Sequence, residues 1–92
     1  MLNELEAIIR DRQRQPVTGS YTSRLFEAGR GKIAQKVGEE AVEVLVAALA
    51  QNRDDQIEEI SDLVYHLLVL MADLDVSLDD VRGRLRERHQ PR

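Results

Sequence analysis

Five carboxylates fall in two short clusters between Lys36 and His66: Glu39, Glu40 and Glu43 in KVGEEAVEV, then Glu59 and Asp62 in EEISDLVYH. The pattern is Glu-Glu-x-x-Glu, fifteen residues, then Glu-x-x-Asp. Side chains three apart on a helix project from the same side, so Glu40 with Glu43, and Glu59 with Asp62, each make a pincer of hard oxygens. Brought together across an antiparallel helix pair, they offer four carboxylates and no soft ligand. Such a set suits Mg²⁺ or Mn²⁺, with positions left open for water and phosphate oxygens. An ordinary solvated helix face accounts for either cluster alone. Their pairing at the edges of apolar faces is what points to a metal. A carboxylate-bridged di-iron centre fits less well, because it wants Glu-x-x-His on its helices and His66 follows Asp62 by four. His66 stands either as a hydrogen-bonded helix residue or in a substrate or proton-transfer role, and Tyr65 either packs or acts.

The elements that must position these groups read as helices. Leu2, Leu5, Ile8 and Ile9 recur at helical spacing behind Asn3 and Glu6, a capping pair, which predicts a first helix to about Arg14 that Pro16 and Gly19 stop. Ser20 caps a short second helix through Tyr21, Leu25 and Phe26, ending near Gly29 and Gly31. Those glycines frame Arg30 and Lys32, a basic loop that is either a plain turn or a phosphate cradle at a helix N-terminus. A long helix follows from Lys32 to about Gln51. Ile33, Val37, Ala41, Val44, Leu45 and Ala48 form its apolar stripe, and Val42, Val46 and Leu49 extend that stripe around the other side. A helix apolar nearly all round needs burial on two sides, which a chain of 92 residues hardly arranges alone, so a homodimer is expected. Lys36, Glu39, Glu40 and Glu43 share the remaining sector. Carboxylates hemmed by apolar surface cost several kcal/mol unless they are paired or bound to metal. Asn52 and Asp54 open the next helix, from about Asp55 to Asp73, with Glu59, Asp62, His66 and Asp73 along one strip. Ser77 with Asp80 forms a capping box for a last helix carrying Val81, Leu85 and four arginines.

Composition bounds the function. Low strand propensity and 33% charged residues predict an all-α bundle of four to five helices in one domain spanning residues 1–92, completed by homodimerisation. With no cysteine, disulfides, thiolate sites and a cysteine nucleophile drop out. No basic leader with a cleavage site and no apolar run near about twenty residues is seen, so a cytoplasmic protein without a membrane role is expected. The net charge of −4 argues against broad nucleic-acid binding, as does an aromatic content of one Phe and two Tyr with no Trp. The first third is basic nonetheless, through Arg10, Arg12, Arg14, Arg24, Arg30, Lys32 and Lys36, while the middle is acidic. A small anion escorted by divalent cations uses both signs.

The run SYTSRLFEAGRGKIAQKVGEEAVEV, then EEISDLVYHLLVLM and VSLDDVRGRLRERH, resembles the phosphoribosyl-ATP pyrophosphatases of histidine biosynthesis, a branch of the MazG-like all-α nucleotide pyrophosphohydrolases. The likeness spans Leu2 to His89, and the chain resembles the stand-alone form, without the cyclohydrolase domain that some relatives carry upstream. It implies hydrolysis of phosphoribosyl-ATP to phosphoribosyl-AMP and pyrophosphate. It also implies that Glu40, Glu43, Glu59 and Asp62 hold Mg²⁺ (or Mn²⁺ in its place), with Glu39 as an extra ligand or water-positioning group and one of these carboxylates as the base. Lys36, Lys32 and Arg24 are the candidates for phosphate, and Tyr21 and His66 for the rest of the substrate. The rival expectations are a house-cleaning nucleoside triphosphate pyrophosphohydrolase with the same acids, and a noncatalytic acidic dimerisation module.

Overall fold

Three helices begin where a side chain accepts an otherwise unpaired backbone N–H. The Ser20 hydroxyl accepts from the Ser23 N–H at 3.2 Å, the Asn52 side-chain oxygen from Asp55 at 2.9 Å, and the Ser77 hydroxyl from Asp80 at 3.0 Å. Asp80 returns the bond, its carboxylate accepting the Ser77 N–H at 2.9 Å, which completes the capping box. The computed structural model describes residues 1–90. Among them are α1 (Leu2–Arg14), α2 (Tyr21–Ala28), α3 (Arg30–Ala50), α4 (Arg53–Asp73) and α5 (Leu78–Arg88), with no strand. The protein is all-α, as its sequence predicts.

α3 and α4 form a long antiparallel hairpin. Its turn is closed by the Asn52 cap and by the Gln56 amide, which donates to the Ala47 carbonyl at 3.1 Å and the Gln51 carbonyl at 3.2 Å. At the open end, Arg30 donates to the Asp73 carboxylate at 2.6 Å and to the Asp73 carbonyl at 3.1 Å. A cation there also sits favourably at the negative end of α4. α1 and α2 lie across this open end. Ile9, Leu25, Ile33, Leu68, Val69 and Ala72 pack into the core beneath them, with Leu5, Phe26 and Met71 at its margin.

Two local expectations are corrected. The basic glycine loop does not exist as a loop: Gly29 alone separates α2 from α3, at φ 99°, and Gly31 lies within the first turn of α3. Only glycine takes that backbone geometry at little cost, so one residue suffices to turn the chain. Asn3 and Glu6 do not cap α1, which starts after Met1 without a side-chain cap. Glu6 instead accepts the Leu78 N–H at 2.8 Å and so satisfies the first turn of α5 across the fold. Arg10 pairs with Asp75 at 3.1 Å in the same corner, where Asp75 holds a positive φ.

The apolar stripe of α3 is covered at one end only. Ile33 is fully buried and Val37, Ala41 and Val44 are half-buried, whereas Leu45 is 63% and Leu49 89% exposed. Val42, Val46, Ile57 and Ile60 are exposed with them, so the turn end of the hairpin is bare apolar surface.

Candidate functional site

Glu40 leaves α3, and Glu59 and Asp62 leave α4, where the hairpin passes from its buried end to its bare end. One carboxylate oxygen from each lies within 4.8 Å of the others, and all three residues are half-buried. This spacing follows from the geometry the sequence dictates: Glu59 and Asp62 are one turn apart, and the antiparallel partner brings Glu40 opposite them. Glu59 pays for the crowding. Its carboxyl sits above the ordinary glutamate range, first through partial loss of water and then through the charges of Glu43, Asp62 and Glu40. Three converging hard oxygens with like-charge repulsion and no soft donor fit a small divalent cation that has oxygen ligands and retains water or phosphate positions.

The remaining acids stand differently. Glu43 is exposed and close enough to repel Glu59, but it lies outside the converging trio. Glu39 turns outward, where its carboxylate accepts from the Gln35 amide at 3.2 Å; this bond, together with Lys36, holds it below the ordinary range. Lys36 bridges the group, its ammonium 3.5 Å from Glu39 and 3.5 Å from Glu40. Loss of water is the largest single influence on that ammonium and lowers its proton affinity. The combined pull of Tyr21, Glu39 and Glu40 outweighs it and leaves the pKa raised. Lys32 is exposed and acts on Glu39 through its charge.

On the other flank, two consecutive residues of α2 are tied to two consecutive residues of α4. The Tyr21 hydroxyl lies 2.9 Å from His66 Nε2, and the Thr22 hydroxyl bonds the Tyr65 hydroxyl. His66 is buried, and its Nδ1 donates to the Asp62 carbonyl at 2.7 Å. The three rings form one packed unit: Tyr21 stacks on Tyr65 with centroids 6.2 Å apart, and His66 meets both edge-on at 5.8 and 5.0 Å. Arg24 covers Tyr21 with its guanidinium carbon 5.7 Å from the ring centroid, while one nitrogen donates to the Gly19 carbonyl at 3.1 Å. Burial raises the Tyr65 phenol's pKa despite its bond to Thr22. The tie between Thr22 and Tyr65 escapes sequence reasoning, since no spacing rule links residues 43 apart.

A family model described as phosphoribosyl-ATP pyrophosphohydrolase matches residues 2–89. The chain is 52% identical over 88 residues to a phosphoribosyl-ATP pyrophosphatase of Metallosphaera sedula, covering 96% of this chain and 95% of that one. It is 50% identical to a phosphoribosyl-ATP pyrophosphatase of Listeria innocua, covering 96% and 84%. It is also 53% identical to the histidine biosynthesis bifunctional protein HisIE of Pyrococcus furiosus, where it covers 98% of this chain and 42% of the longer protein. With the helical hairpin, its converging acids and a match over nearly its whole length, the chain belongs to the phosphoribosyl-ATP pyrophosphohydrolase family.

Proposed function

We propose that this protein hydrolyses phosphoribosyl-ATP to phosphoribosyl-AMP and pyrophosphate in histidine biosynthesis, using Mg²⁺ held by Glu40, Glu59 and Asp62 with Glu43 beside them. The observation that carries the reading is the convergence of the three half-buried carboxylates within 4.8 Å, in a chain whose relatives are named for this activity. When bound, Mg²⁺ supplies Lewis-acid stabilisation of the negative charge on the phosphates. Glu40, Glu59 and Asp62 would hold that cation, and a carboxylate oxygen left free by it would be available to the attacking water. The water oxygen bonds to the α-phosphorus, the bond from that phosphorus to the bridging oxygen breaks, pyrophosphate departs with the electron pair, and a carboxylate of the cluster takes the water's proton. Lys36 brings a positive charge to the phosphate side of the acids, with exposed Lys32 about one helical turn before it on α3. Glu39, paired with Lys36, orients that ammonium or the water.

The working unit in this reading is a homodimer. Val42, Leu45, Val46, Leu49, Ile57 and Ile60 make a continuous apolar end on the hairpin that a second copy covers, next to the acids. No helix among the described residues is long and apolar enough to cross a membrane, and a cytoplasmic enzyme fits the cysteine-free composition.

Product analysis tests the substrate. Pyrophosphate and phosphoribosyl-AMP released from phosphoribosyl-ATP with Mg²⁺, but not from ordinary or noncanonical nucleoside triphosphates, is the expected outcome. Release from the other triphosphates alone would assign the acids to a different substrate.

A further inference from the structure

His66 fixes the direction of a hydrogen bond that faces the site. Its Nδ1 lies 2.7 Å from the Asp62 carbonyl, and a carbonyl oxygen only accepts, so Nδ1 carries the proton. In the neutral ring the other nitrogen is then bare. Tyr21, 2.9 Å away, is the group that meets it, so the phenol proton points inward to His66 Nε2. The Tyr21 oxygen therefore keeps only lone pairs for anything outside. Three neighbours support the ring in this pose: Tyr65 stacks on it, the Arg24 guanidinium carbon lies 5.7 Å from its centroid, and His66 packs against it edge-on. Tyr21 is nevertheless 41% exposed, so its neighbours leave part of the residue open to a ligand. It also stands beside the acids through His66, which joins the Tyr21 hydroxyl on one ring nitrogen to the backbone of Asp62 on the other.

We propose that Tyr21 is a specificity-determining residue that presents an obligate hydrogen-bond acceptor to the substrate, with His66 as the positioning residue that holds its proton. Phosphate oxygens accept and do not donate, so this oxygen does not bind the triphosphate. It takes a donor: a sugar hydroxyl or an N–H of the base. The polyphosphate is left to Lys36 and the metal, while Tyr21 reads the nucleoside portion. This assignment rests on the phosphoribosyl-ATP reading for its substrate, but its hydrogen-bond order is independent of turnover. An analogue that lacks the donor loses this hydrogen bond and binds less well, by the net worth of one such bond at a partly exposed position.

The test has a spectroscopic and a kinetic arm. Nitrogen-15 NMR of the His66 ring in the wild-type protein at pH 8 is expected to show the Nδ1–H tautomer. An Nε2–H signal would overturn the proposal, because Tyr21 would then accept from His66 and be free to donate outward. In the kinetic arm, Tyr21→Phe keeps the ring and its packing and removes only the oxygen. It is expected to raise KM for phosphoribosyl-ATP by about tenfold with kcat within threefold, the cost of one such bond. Running both proteins on the analogue lacking the 2′-hydroxyl of the ATP ribose separates the two donors. Penalties that fail to multiply identify that hydroxyl, and penalties that multiply identify another sugar hydroxyl or a base N–H. A KM unchanged within twofold in Tyr21→Phe, or a loss in kcat alone, would overturn the proposal. A wild type that releases no pyrophosphate from phosphoribosyl-ATP would sink the substrate reading, and the donor assignment with it.

Discussion

The two ends of the α3–α4 hairpin are made of similar residues and meet different fates. At the open end, Ile33 and Val69 are fully buried under α1 and α2, and Arg30 with Asp73 closes the seam. At the turn end, Leu45, Leu49, Ile57 and Ile60 stay exposed, Leu49 almost fully. The acids sit where one regime gives way to the other. The chain's own core thus fixes one side of the site and leaves apolar surface exposed on the other. The contrast also explains why carboxylates are tolerated there: the site is shielded enough to crowd charge, as the raised Glu59 carboxyl reports, yet open enough to admit a cation and a substrate.

Substitutions sharpen that contrast in order of size. At the buried end, Ile33→Ala should cost about 2–5 kcal/mol of unfolding free energy in a urea titration, since it opens a cavity in a filled core. At the junction, Glu40→Gln or Asp62→Asn should leave the fold intact and remove at least about 100-fold of the turnover, as each deletes a charge from the cation site. Near-normal activity in either purified variant would take that residue out of the metal set. At the bare end, Leu49→Glu should leave each protomer folded and weaken the dimer by at least about 100-fold. Two copies at roughly 1.5 kcal/mol each are lost, readable by sedimentation. An unchanged association would show that this end is not the interface.

Smaller effects concern charge and capping. Because the folded Glu59 carboxyl binds its proton more tightly than in the unfolded chain, its contribution to stability is present at low pH and is lost as pH rises through the raised value. In chelator, wild type should therefore lose stability relative to Glu59→Gln as pH rises through and above the ordinary glutamate range. With Mg²⁺ restored, only wild type should show the metal-dependent rise in Tm. Ser77→Ala should cost least, about 1 kcal/mol, by removing the α5 cap.

Much of this was legible because it follows from local spacing. Ser20 and Ser77 cap their helices from three residues away, and the one-turn separation of Glu59 and Asp62 dictates a shared side. Glu43 shows the limit of that rule. A separation of three leaves an offset of about 60° around the helix, enough to hold it exposed while Glu40 turns inward. Pairings across the chain were not legible. Glu6 serves Leu78 instead of its own helix, Arg30 serves Asp73 instead of a phosphate loop, and Thr22 meets Tyr65, all set by how helices cross. The Gly29–Lys32 segment misled for a physical reason. Two glycines suggest a loop, but one residue at positive φ turns the chain and the second is absorbed into a helix.

The cation site is tested most directly by pyrophosphate release from phosphoribosyl-ATP by wild type and Asp62→Asn, each measured across a Mg²⁺ titration and again in chelator. Saturable, Mg²⁺-dependent release by the wild type, none in chelator, and at least about a 100-fold loss in the variant are expected. Release that persists in chelator, or a variant as active as wild type, would contradict that site.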